Sequence, residues 1–137
     1  MKKLNIINLI FVGIALVLEI IPYGVRMKWA DFFFEKYTFH SYFDLTLWGY
    51  GDVGPFLCGI LTAVVFVMLA LLLFFKPHRV YIIFICILTV GAAIFSTIPS
   101  FFGSYTLVGL IITVILGVST EISALMYMDR TDKQKSN

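Results

Sequence analysis

Charged side chains are scarce in this chain. They make up 13% of its 137 residues, against an apolar content of 61% and a mean hydropathy of +0.99. A soluble domain carries about 25% charge and about 45–50% apolar residues, so most of this surface is built for lipid rather than water. The net charge of +2 is too small to suggest a nucleic-acid partner. Cysteine is equally sparse: Cys58 and Cys86 both fall inside apolar runs. With no CxxC and no partner histidine, they read as small packing residues rather than a disulfide, a metal pair or a redox dithiol. No cofactor-binding or metal-binding motif is present, and no motif is tied to one reaction.

Four apolar segments account for the composition: Leu4 to Ile21, Val53 to Phe75, Val80 to Ile98 and Tyr105 to Met128. Each reaches the roughly 17–25 residues that cross about 30 Å of hydrocarbon. Lipid offers backbone groups no partner, so all four are expected to be helices. The first follows Met1-Lys2-Lys3 like a secretory signal, but it carries Glu19 and lacks a small-x-small cleavage site, so it reads as a signal-anchor helix. The expected fold is a single all-α domain spanning residues 1–137, a four-helix transmembrane bundle.

Orientation follows from the basic residues. Lys2, Lys3, Lys76, Arg79, Arg130, Lys133 and Lys135 fall on one side, and only Arg26, Lys28 and Lys36 on the other. The positive-inside rule puts both termini, with the tail 129–137, in the cytoplasm, and the segment 22–52 outside. That outer segment and its flanks hold both tryptophans and four of the eight acids, Asp31, Glu35, Asp44 and Asp52. It is expected to form an aromatic-rich cap in which Trp29, His40, Asp44, Trp48, Tyr50 and Asp52 are the notable side chains. Met27 to Tyr37 is predicted as a short amphipathic helix on the membrane, and His40 to Leu47 as extended chain. Interfacial anchoring is the plain role for such tryptophans and tyrosines; a ligand- or partner-binding surface is the alternative.

Within the spans, small and polar residues mark the faces expected to pack. In the fourth helix Gly109, Thr113, Gly117 and Glu121 recur every four residues, a small-residue stripe that predicts close helix approach and an inward carboxylate. The first helix offers Asn5, Asn8, Val12, Ala15 and Glu19; the second offers Gly59, Ala63 and Ala70; the third offers Cys86, Thr89, Ala93 and Ser96 or Thr97. The two helical hairpins also resemble each other. Glu19-Ile20-Ile21-Pro22 corresponds to Ser96-Thr97-Ile98-Pro99, and Gly59 and Thr62 correspond to Gly109 and Thr113, which suggests a parallel pseudo-repeat.

A charge at mid-helix costs at least about 2.5–3.5 kcal/mol in a bilayer, so a membrane carboxylate is a functional hypothesis by default. Glu19 lies one turn from Pro22, where water, Arg26 or Lys28 would reach it, and a structural role is favoured. Glu121 lies about two turns from Asp129, well inside the membrane, and is weighed evenly between structure and proton or cation binding.

The stretch from Phe39 to Phe56, FHSYFDLTLWGYGDVGPF, resembles a segment of small uncharacterised four-helix membrane proteins of Gram-positive bacteria. The likeness covers the first half of the chain and implies a fold and a compartment, the bacterial cytoplasmic membrane, but no activity. The helix count and long first outer loop also resemble the claudin-like tetraspan plan, although the outer cysteine pair of that family is missing. The leading expectation is a non-enzymatic membrane protein that acts through helix faces and the cap, with itself or with a membrane partner. A small proton- or cation-coupled transporter or channel subunit using Glu121 and Glu19 is the alternative. An enzyme at the outer face, resting on His40, Asp44 and Asp52, comes third.

Overall fold

The computed structural model describes residues 2–29, 36–45, 53–75, 78–101, 103–104 and 106–135. Among these, four helices carry the fold: α1 (Lys2–Ile20), α2 (Gly54–Phe74), α3 (Arg79–Phe101) and α4 (Leu107–Lys135). All four are long and apolar enough to cross a membrane. Each packs on its neighbour in the chain, and α4 closes the ring against α1. The end where α1 and α3 finish is called the hairpin end below, and the opposite end the tail end.

The buried positions show how the ring is sealed. Asn5, Asn8, Val12, Ala15 and Glu19 line the inside of α1, and Ile82, Ile85, Thr89, Ala92, Ser96 and Pro99 line the inside of α3. In α4 the buried set is Gly109, Ile112, Leu116, Ser119, Ser123 and Met126. Steps of three and four alternate in all three helices, the average 3.5-residue spacing of a coiled-coil-like seam. The expected stripe on α1 is therefore the buried one. The stripe expected on α4 is not: four residues overshoot a 3.6-residue turn by about 40°, so Glu121 sits roughly 120° around the helix from Gly109.

Helix ends are set by local chemistry. Pro55 occupies the first turn of α2, where a missing N–H costs nothing. Pro99 does not end α3, which continues to Phe101. Ser104 N then donates to Pro99 O at 2.9 Å, and Gly103 takes the positive φ of 68° that this closure requires. Thr106 caps α4, its Oγ1 accepting from Gly109 N at 3.0 Å. At the tail end α4 runs on to Lys135, through most of the segment expected as a separate tail.

The segment expected as an amphipathic helix is not helical where it is described. Val25–Trp29 (β1) pairs antiparallel with Lys36–His40 (β2), with Val25 opposite His40 and Trp29 opposite Lys36. Period-two patterning explains this. Val25 and Met27 are buried against the bundle, while Arg26, Lys28, Tyr37 and Phe39 face out. The expected extended run at His40 to Leu47 is displaced: the strand ends at His40, and Tyr42 and Phe43 form a turn.

The β1–β2 hairpin is fastened to the bundle mainly through backbone groups. Arg26 N donates to Ser104 O at 2.8 Å, Tyr42 N to Glu19 O at 2.9 Å, and Thr106 Oγ1 to Tyr23 O and Gly24 O at 2.7 and 2.8 Å. Tyr42 is fully buried and joins Ala15, Val25, Met27, Cys58, Ala92, Ile112 and Leu116 in one apolar cluster. A second cluster, including Val12, Val65, Leu69, Ile82, Ile85 and Met126, fills the tail-end half.

Candidate functional sites

Three polar arrangements stand out against this apolar frame. In the tail-end half, Ser119 Oγ donates to Asn8 Oδ1 at 2.6 Å and Asn8 Nδ2 donates to Ser123 Oγ at 2.9 Å. Ser123 Oγ in turn donates to Ser119 O, and Cys86 Sγ donates to Ser123 O at 3.2 Å. The network ties α1, α3 and α4 together and satisfies both amide atoms of Asn8. Its α4 members follow the three–four spacing of the buried seam, a signal the every-four stripe passed over.

The second arrangement is built on Glu19, which is 0% exposed rather than within reach of water. Its Oε1 accepts from Thr62 Oγ1 at 2.9 Å and from Cys58 Sγ at 3.5 Å, both on α2. Its Oε2 is buried without a hydrogen-bond partner among the described residues. Arg26 does not reach it; that side chain lies over the Tyr37 ring at 5.0 Å and donates to Gly103 O at 3.5 Å. In the other helical hairpin the corresponding threonine, Thr113, donates to Ser96 O at 3.1 Å. Matching positions thus bridge matching helices, through a side chain in one hairpin and a backbone carbonyl in the other.

The third arrangement lies on the hairpin. Asp44 Oδ2 is 2.6 Å from His40 Nδ1, and His40 Nε2 is 2.9 Å from Thr38 Oγ1. Thr38 and His40 are two apart on β2 and therefore share a face, while the turn at Tyr42 brings Asp44 back beneath the imidazole. His40 and Asp44 carry side-chain exposures of 15% and 32%, so the group is partly open to solvent. Thr38 was not among the expected residues, although the alternation Lys36-Tyr37-Thr38-Phe39-His40 marks it.

The other expected positions divide. Glu121 is exposed on the outward face of α4, not inward. It borders a groove of about 320 Å³ between α3 and α4, with Ala93, Ile94, Thr97, Gly117 and Thr120. Of the expected packing glycines, Gly109 is tight: a Cβ there would lie 2.7 Å from Gly24 O. Gly59 also makes room, but for the Phe43 ring of the turn, 3.0 Å from a Cβ, rather than for another helix. A Cβ on Gly117 would meet nothing within 4 Å, so it is not a contact within the bundle. Trp29 ends β1, while Trp48, Tyr50 and Asp52 lie outside the described residues. Tyr42, the buried centre of the hairpin end, was missed because a loop tyrosine carries no periodic signal. No group of three or more His, Cys, Asp or Glu placed to hold a metal occurs among the described residues. Comparison with known proteins finds no matching family model, curated protein or solved structure.

Proposed function

We propose that this chain is a small multi-pass protein of a bacterial cytoplasmic membrane, with termini inside and the hairpin outside, that works by docking a transmembrane helix of a partner against its α3–α4 face. The observation that carries this reading is Glu121. It lies about 21 Å along the helix from Leu107 and about 16 Å from Asp132, near mid-span by the helical rise, and it is exposed there. Left against lipid, a charge at that depth costs at least about 2.5–3.5 kcal/mol. Gly117 leaves open space one turn away, and Thr97 and Thr120 add hydroxyls to the same groove. Small residues and hydrogen-bonding groups are what transmembrane helices use to approach one another.

The partner's chemistry follows from charge. All ten Lys and Arg of this chain lie in the first or last two turns of its helices, between them or in the hairpin segment. A second copy therefore has no cation to set against Glu121 at mid-span. A different helix, carrying Lys, Arg or His near its centre, fits. The test uses labelled polyleucine helices with and without one central lysine, reconstituted with the full chain in liposomes. Energy transfer to the parent is expected for the lysine helix only, and to be lost in Glu121→Leu. Equal transfer from both helices, or transfer untouched by Glu121→Leu, would overturn the reading. Self-association without any added helix would redirect it to a homo-oligomer.

A proton- or cation-coupled transporter is the second reading, and the half-bonded carboxyl of Glu19 is the observation that favours it. Glu19 and Glu121 line different places, so this reading rests on Glu19 with Thr62 and Cys58. It requires pH-dependent flux in proteoliposomes that Glu19→Gln abolishes while the fold persists.

A further inference from the structure

We propose that Thr38, His40 and Asp44 form an esterolytic site at the hairpin end, in which Thr38 is an activated hydroxyl nucleophile. The three groups stand in the order carboxylate, imidazole, hydroxyl, at 2.6 Å and 2.9 Å. An ionised carboxylate only accepts, so Asp44 takes the Nδ1–H of His40 and fixes the tautomer. The Nε2 lone pair is then directed at Thr38 Oγ1, where it accepts the hydroxyl proton. This is the role assignment by which hydroxyl nucleophiles are recognised on unrelated folds.

The substrate class follows from placement. Tyr42 N is bonded to Glu19 O, near the last turn of α1, so the residues around Tyr42 sit at the level where that helix leaves the membrane. Leu45, the residue after Asp44, is an exposed apolar side chain, whereas Phe39 lies on the opposite face of the hairpin from Thr38 and His40. A carboxylic ester of an amphiphile has its carbonyl at that depth and its chain where Leu45 can meet it. In the reaction, Thr38 Oγ1 adds to the ester carbonyl carbon and its proton passes to His40 Nε2. The bond to the alcohol oxygen breaks, and that oxygen leaves with the proton from His40. Water then attacks the threonine ester, giving its proton through His40 to Thr38 Oγ1, and the carboxylic acid departs. No oxidant, metal or co-reactant other than water is needed.

The site is tested on the full chain in mixed micelles with an alkyl fluorophosphonate and with a p-nitrophenyl ester of a medium-chain acid. Mass spectrometry is expected to find one phosphonate adduct, on Thr38. Ester hydrolysis is expected to fall at least about 100-fold in His40→Gln and Asp44→Asn, the scale of losing a general base. Thr38→Ala should lose both signals and Thr38→Ser should keep both, with unchanged melting temperature showing that the hairpin is intact. Absence of an adduct on Thr38 in folded parent protein sinks the proposal. So does hydrolysis that survives in both His40→Gln and Asp44→Asn, because the cluster would then only pin the turn. Should His40→Gln unfold the hairpin, the decision rests on Asp44→Asn and on the Thr38→Ser and Thr38→Ala pair.

Discussion

At the tail end, Asn8 meets Ser119 and Ser123 so that both its amide atoms are bonded, whereas at the hairpin end Glu19 has one oxygen bonded twice and the other not at all. Both side chains lie on the same buried stripe of α1. Around Asn8 the helices are joined by side-chain groups and one backbone carbonyl, Ser123 O. Around Glu19 they are joined by a folded segment, whose backbone bonds reach α1, the α3–α4 turn and the start of α4. The contrast predicts that closure of the hairpin end does not depend on the carboxylate. Thr62 underlines this: its single hydroxyl proton has a second acceptor in Cys58 O, also at 2.9 Å. Loss of Glu19 would leave Thr62 satisfied, so Glu19 is poorly explained as glue, and Asn8 well explained.

The contrast can be broken most forcefully at Tyr42. Tyr42→Ala empties the centre of the hairpin end and is expected to cost about 3 kcal/mol, the scale for truncating a buried aromatic. Cys58, fully buried in the same cluster, should become open to thiol reagents while Cys86 reacts as before. Protection of Cys58 in that variant would mean the cap is not what seals this end. Next comes the pair of glycines on α4. Gly109→Ala sets a methyl 2.7 Å from the Gly24 carbonyl, a backbone atom with little room to yield, and should cost about 1–3 kcal/mol. Gly117→Ala meets nothing and should stay within about 0.5 kcal/mol of the parent in detergent unfolding. Equal losses would show that the every-four stripe, not the three–four seam, is the buried face. The smallest expected effect sharpens the opening contrast directly. Asn8→Leu should cost about 1 kcal/mol, within the range for an interhelical hydrogen bond in a membrane. Glu19→Gln keeps an oxygen for Thr62 and should be silent by the same measure, and a larger loss in Glu19→Gln than in Asn8→Leu would reverse the assignment.

The four spans were legible in the sequence because bilayer thickness and backbone hydrogen bonding leave few ways to place long apolar runs. The polar stripe of α1 was legible too, since Asn5, Asn8 and Glu19 are conspicuous among Leu, Ile and Val. The face of α4 was not. Gly109 and Gly117 attract attention as small residues, but the bundle's period is closer to 3.5 than to 4, and that difference turns Glu121 from the inside to the outside. In the segment between α1 and α2, aromatic clustering near Trp29 drew a helix over a stretch whose charges alternate with period two, Arg26 and Lys28 outward against Val25 and Met27 inward. The Thr38–His40–Asp44 group depends on where a turn folds back, which composition does not encode. Asp52, expected beside His40 and Asp44 in one loop, lies outside the described residues, and the carboxylate that meets the imidazole is Asp44.

Thr106 has a consequence for how the protein is made. Its hydroxyl joins the start of α4 to Tyr23, 83 residues earlier in the chain. A ribosome working at about 5–20 residues per second needs about 4–17 s to cover that distance. Throughout that interval the newly made hairpin has no fourth helix to dock on, and the carbonyls of Tyr23 and Gly24 and the N–H of Arg26 must be held by water or by a chaperone. Docking of the cap on the start of α4 is therefore completed last although the cap is synthesised early.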